Sequence, residues 1–89
     1  MRPEPRSSPS LDRAAVRADL VRRVHARRGD DRPVSDDASL QVLGLDSADV
    51  LELVADLEDA WHITVPLDEL VSVRTFGQMV DRIHARVLR

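Results

Sequence analysis

LGLDSADVLELVADLEDAW, residues 43–61, carries the clearest periodicity in the chain. At roughly 100° per residue, Val50, Leu53, Val54, Leu57 and Trp61 fall within an arc of about 100°. The spacing predicts a helix from about Ser47 to Trp61 with that arc as its core face. Asp49, Glu52, Asp56 and Asp59 occupy the opposite arc. Ala48, Leu51 and Ala55 form a third stripe, apolar yet turned away from the core, and so a candidate docking surface. Asp46 and Ser47 stand directly ahead of this run. A serine there is a common helix cap. It is equally a hydroxyl at a helix start, where free backbone N–H groups and the positive dipole end favour an anion, so an attached phosphodiester would be well held. The residues alone leave both readings open.

Upstream, residues 1–10 contain three prolines, three serines and two arginines without periodicity, and are expected to form a disordered leader. A domain is expected over 11–88. Ser10 is read as the N-cap of a first helix, with Asp12 in its first turn. Leu11, Ala14, Ala15, Ala18, Val21, Val24 and His25 recur at helical spacing as far as Arg28, and Gly29 stops the run. From Gly29 to Asp46 the chain reads as a long loop, with Val34, Leu40, Leu43 and Leu45 as anchors; a loop of this length in a small domain is functional or disordered, and the anchors favour order. Beyond Trp61, "HITVP" reads as a connector and "LDELV" as a short helical turn. Thr75 can cap a last helix along which Phe76, Val80, Ile83 and Val87 align, with Met79 alongside. The expected architecture is all-α: a small four-helix bundle of three main helices plus one short one.

Composition narrows the function classes. The 89 residues include no cysteine, which excludes disulfides and thiolate metal sites. No apolar run reaches the roughly 18 residues of a membrane helix, and the N-terminus lacks the apolar middle of a signal peptide. A soluble, cytoplasmic, monomeric protein is the expectation. Residues 1–33 hold nine arginines against five carboxylates, residues 34–73 ten carboxylates and no arginine or lysine, and residues 74–89 four arginines against Asp81. A forty-residue segment without a positive charge is a local anionic field able to steer a basic partner, or a plain solvated face. The basic first helix could touch nucleic-acid phosphates, but only one part of the chain is basic, which argues against such a module. A hydrolase pairing Ser47 with His25, His62 or His84 would need a substrate pocket for which 89 residues leave little room. No His-x₃-His pair or EF-hand alternation exists, so no metal site is expected.

The segment DDASLQVLGLDSADVLELVADLEDAWHITVP resembles the acyl carrier protein family: a loop apolar before Leu-Gly, then x-Asp-Ser, an acidic helix, an aromatic and a Val-Pro pair. The resemblance continues through LDELVSVRTFGQMVDRI and covers roughly residues 11–87. It implies the acyl-carrier type of bundle and no catalytic activity. It implies that a phosphopantetheinyl transferase, using magnesium, moves 4′-phosphopantetheine from coenzyme A to Ser47, with Asp46 orienting the hydroxyl or helping to hold the metal during loading. The arm's thiol then carries acyl groups as thioesters, so the missing cysteine is no obstacle. Ala48, Asp49, Leu51, Glu52, Ala55, Asp56, Glu58 and Asp59 would form the recognition face for the transferase, the acyl- or aminoacyl-loading enzyme, and acyltransferase or ketosynthase partners. Two features depart from the family's pattern: Ala48 stands where leucine or isoleucine is usual, and the first helix is rich in arginine. Both point towards specialised biosynthesis, such as polyketide or antibiotic assembly. "GLDS" favours an acyl over an aminoacyl or peptidyl carrier, which remains the alternative. An unmodified helical interaction module is the reading outside the class.

Overall fold

Val50, Leu53, Val54 and Leu57 are buried along one side of a helix, as their spacing predicts. The structure, a computed structural model, describes residues 12–87. Four helices follow in order: α1 (Arg13–Arg28), α2 (Ser47–Trp61), α3 (Leu67–Leu70) and α4 (Phe76–Val87). α1 lies mainly against α4 and also touches α2, while α3 leans on α4. The described chain is all-α, with one isolated bridge between Ser39 and Thr75. The expected leader over residues 1–10 and the Ser10 cap lie outside the described residues.

The first helix corrects the sequence reading in two respects. Its N-cap is Asp12, whose carboxylate accepts from the Ala15 N–H at 2.9 Å. Its buried face is Val16, Leu20 and Val24, with Asp19 between them. The expected face of Leu11, Ala14, Ala15, Ala18, Val21, Val24 and His25 holds at Val24 and, partly buried against the core, at Val21; Ala14 and Ala18 are exposed and Leu11 is outside the described residues. The i, i+4, i+8 row of larger side chains wins because burying a Val or Leu gains roughly 1.5–3 kcal/mol, while an alanine methyl offers far less area. Gly29 ends the helix in the left-handed region, φ 75°, donating to the His25 carbonyl, as expected of a C-cap glycine.

Asp19 is buried and paired. Its carboxylate accepts from Trp61 Nε1 at 2.9 Å and Arg23 Nε at 3.1 Å, and from Arg22. A buried charge is tolerated only with such compensation. Trp61, expected on the core face, is half-buried, with its indole N–H bound to a helix 42 residues upstream.

The long loop is ordered. Val34, Leu40, Leu43 and Leu45 are all buried. Hydrogen bonds stitch its backbone to the entry of α4: Leu40 N–H to the Arg74 carbonyl at 3.0 Å, Phe76 N–H to Ala38 at 2.9 Å, and Gly77 N–H to Asp36 at 2.9 Å. The approach at Gly77 is close: a Cβ there would lie 3.0 Å from the Asp36 Cβ, so any larger residue would have to push the Asp36 segment back. Arg13 and Arg17 of α1 both donate to the Asp36 carboxylate, at 2.9 and 2.6 Å, closing a three-way joint among α1, the loop and α4. That joint holds the Asp36 carboxyl below the usual carboxylate range, through the Arg17 bond first and the Arg13 bond second. Thr75 caps α4 as expected, accepting from Gln78 N–H at 3.2 Å, while Gln78 Oε1 accepts in return from Arg74 and Thr75 N–H.

Candidate functional site: a free hydroxyl at the start of the second helix

The chain reaches Ser47 through a tightly wound turn. Ser39 Oγ accepts from Val42 N–H at 3.0 Å, and the Leu43, Gly44 and Leu45 amides bond back to Ser39, Gln41 and Leu40. Gly44 sits at φ 80°, a conformation that side-chain-bearing residues rarely adopt; it lets the buried Leu43 and Leu45 both turn inward. Leu45 thus anchors the loop two residues before Ser47.

Asp46, not Ser47, caps α2. Its extended backbone (φ −92°, ψ −177°) lets its carboxylate accept from Asp49 N–H at 2.8 Å, and the Asp49 carboxylate accepts in return from Asp46 N–H at 3.0 Å. This reciprocal box satisfies the helix start without the serine. Ser47 is the first helical residue, exposed, and among the described residues its hydroxyl has no hydrogen-bond partner. Of the two readings left open by the sequence, capping is therefore done by the neighbour. Asp46 remains exposed beside Ser47, where it can also face an incoming group.

Beside Ser47 opens a groove of about 520 Å³ between the 39–46 turn, the first turns of α2, α3 and the α3–α4 connector. Leu40, Leu45, Val50, Leu70 and Val73 form its apolar part, and Ser39, Gln41 and Arg74 contribute polar groups. Leu51, Leu67 and Val71 also line it while being 45%, 60% and 75% exposed, so the groove's margin is an apolar surface open to a visitor.

The acidic face of α2 is only partly free. Arg27, from α1, donates to Asp49 at 2.7 Å and Glu52 at 2.5 Å, and these bonds raise its own pKa. The Asp49 carboxyl is held below its ordinary value, by the Asp46 backbone bond first and Arg27 second. Glu58 is half-buried and accepts from Val65 N–H at 2.8 Å, so it ties down the connector after α2. Glu52, Asp56 and Asp59 are exposed, as are Ala48, Leu51 and Ala55. Sequence reasoning missed Arg27, which pairs with residues more than twenty positions away, and Arg74, which joins the lining of the groove; neither carries a local signal.

The rivals find no geometry. His62 forms the left-handed C-cap at the far end of α2, about 22 Å from Ser47 at 1.5 Å per residue. His25 bonds the Arg32 carbonyl at 2.7 Å, and no histidine lines the Ser47 groove. Among the described residues no cluster of three or more His, Cys, Asp or Glu could hold a metal ion, and no helix is long and apolar enough to cross a membrane. The described arginines of α1 are each paired with a carboxylate of this chain.

The residues present suit a covalent phosphopantetheine. An unpartnered hydroxyl lies at a helix N-terminus whose backbone N–H groups welcome a phosphodiester, and a groove leads away from it. Comparison with known proteins agrees. The family model for a phosphopantetheine attachment site matches residues 17–83. An acyl carrier protein of Syntrophobacter fumaroxidans is 33% identical over 73 residues, 80% of this chain and 90% of that protein. One of Exiguobacterium sibiricum is 44% identical over 45 residues, 51% of this chain; the match spans 57% of that protein's length, and a match to the Amoebophilus asiaticus acyl carrier protein spans 56%. The crystal structure of an acyl carrier protein from Thermotoga maritima superposes with a TM-score of 0.76 at 25% identity, covering 85% of this chain and 91% of that one. The chain belongs to the acyl carrier protein family, whose members are non-catalytic carriers of a covalent 4′-phosphopantetheine arm.

Proposed function

We propose that Ser47 is the attachment residue and that the chain carries acyl groups on the arm, presenting them to enzymes of a specialised pathway such as polyketide assembly. The observation that carries this reading is the exposed, unpartnered Ser47 hydroxyl, relieved of capping by Asp46 and opening on a groove. The bound arm supplies the thiol that holds cargo as a thioester. The chain's own residues do the rest. The Ser47 and Ala48 N–H groups at the start of α2 would be left to face the phosphodiester, the Asp49 N–H being taken by Asp46. Asp46 holds that turn in place and offers a carboxylate next to the hydroxyl during phosphoryl transfer, a step governed by positioning and divalent charge.

Ala48, Leu51 and Ala55 give a small apolar contact strip, with Glu52, Asp56 and Asp59 as the exposed carboxylates around it. Asp49 and Glu58, placed on the same recognition face by sequence, combine that position with structural bonds. Handover between enzymes requires brief complexes, and charge-steered small interfaces supply them. The phosphopantetheinyl transferase and the loading and condensing enzymes are the partners on this reading. The specialised assignment rests on the arginine-rich α1 and on Ala48.

The test is intact mass after incubation with coenzyme A, magnesium and a promiscuous phosphopantetheinyl transferase. One phosphopantetheine should be added to the wild type and none to Ser47→Ala. An increment that survives in Ser47→Ala would overturn the assignment. Mass of material from the native host weighs arm and cargo together, and an aminoacyl cargo would replace the acyl reading by its alternative.

A further inference from the structure

On the reading that Ser47 bears the arm, we propose that Arg74 is a specificity residue that receives a carboxylate carried on the acyl cargo, so that the groove discriminates in favour of carboxylated acyl groups. Every other arginine among the described residues donates from its side chain to a carboxylate, carbonyl or hydroxyl of the chain. The Arg74 guanidinium has no partner among them, although it follows directly on forty residues without another arginine or lysine. It is exposed and lines the groove that opens at Ser47.

The placement is pre-organised. The Arg74 amide donates to Gln78 Oε1 at 2.8 Å, and its carbonyl accepts from Leu40 N–H at 3.0 Å. The main chain is therefore fastened on both sides of the Cα that launches the side chain. The groove is amphiphilic, with apolar Leu40, Val50 and Leu70 in the same lining as Ser39, Gln41 and Arg74. An acyl chain lying on the apolar part and ending in a carboxylate would meet a planar fork of donors that matches it two-to-two. A purely alkyl cargo gains the apolar contact and leaves the guanidinium as it is. The phosphodiester has its own donors in the free amides at the start of α2. The expected bias is that of an exposed pair, roughly two- to fivefold in the groove-bound population.

The experiment loads the full chain from coenzyme A, succinyl-coenzyme A or the uncharged isostere 4-methylpentanoyl-coenzyme A, with intact mass confirming each product. The Arg74 Nε–Hε signal is then followed by NMR, and the succinyl carboxylate is titrated by ¹³C NMR in the wild type and in Arg74→Gln. The signal should move in the succinyl form and stay in place in the other two. The carboxylate should titrate lower in the wild type by roughly half a pH unit. Arg74→Gln should keep its helical circular dichroism and its loading, because the bonds at this position are made by the backbone. A signal unmoved by succinyl, or equal titrations in the two proteins, overturns the proposal while leaving the carrier reading intact. A signal already displaced in the cargo-free form assigns Arg74 to the phosphodiester and overturns it likewise. Failure of any arm to attach overturns the carrier reading and this proposal together.

Discussion

The two ends of α2 are built to opposite ends. At the C-terminal end Trp61 donates to the buried Asp19, Glu58 accepts from the Val65 amide, and His62 closes the helix in the left-handed region at φ 55°. Side chains there join the helix to α1 and to the following connector. At the N-terminal end Asp46 and Asp49 cap one another, Arg27 braces Asp49, and Ser47 stands among them with nothing to hold. Polar groups in folded proteins are usually partnered when burial demands it, and an exposed serine carries no such demand. What sets this one apart is that the structural duty of its position has passed to its neighbour.

Substitutions at the two ends should therefore separate stability from modification. Trp61→Ala has the largest expected effect: about 3 kcal/mol lost in denaturant unfolding, near the low end for removing an aromatic because the ring is half-buried. Phosphopantetheine attachment should persist wherever that variant is folded. Asp46→Ala should cost about 1 kcal/mol through loss of the cap, with a slower rate of loading from the loosened first turn. A loss no larger in Asp46→Ala than in Ser47→Ala would contradict the assignment of the cap.

Acid should act between these. The Asp30 carboxyl is lowered to about 2 by its bond to Arg28, and Asp36 and Asp49 are lowered as well. Because the folded-state values are depressed, the stabilisation is present above about pH 4 and is lost as pH falls towards about 2. Thermal midpoints should fall across that window, and Asp30→Asn should flatten the fall. Reversing Asp56 and Asp59 to arginine should slow encounter with a basic partner severalfold at low salt and leave the fold unchanged, since both lie on the surface, whereas Glu52 is tied to Arg27; equal rates in stopped-flow would remove these two carboxylates from the docking face. The smallest effect on stability belongs to Ser47→Ala, within about 0.5 kcal/mol of the wild type, because no bond is removed.

The legible parts of the fold were those written in large apolar side chains and local rules. α2 follows from five residues at helical spacing, α4 from Phe76, Val80, Ile83 and Val87, and the loop's order from four buried anchors. α1 was misread because alanines at regular spacing imitate a core face; Val16, Leu20 and Val24 pack instead, and the buried Asp19 among them is compensated by Arg22 and Arg23 on its own helix and by Trp61 across the interface. Ser10 and Asp12 are both good capping residues two positions apart, and composition cannot choose between them. At the site, the position of Ser47 was legible, but its release from capping was not. That depends on the Asp46–Asp49 box, a reciprocal pair of backbone bonds that the identity of two aspartates does not announce. The partial neutralisation of the acidic face by Arg27, and the solitary guanidinium of Arg74, come from the packing of distant segments.

The central claim is that the unburdened hydroxyl of Ser47 bears the arm. It is tested most directly by fragment-ion mapping of the chain after incubation with coenzyme A, magnesium and a phosphopantetheinyl transferase. The account predicts the full added mass on the peptide containing residue 47, at the serine itself. An added mass on another serine or on threonine, or a chain left unchanged by every competent transferase, would contradict it.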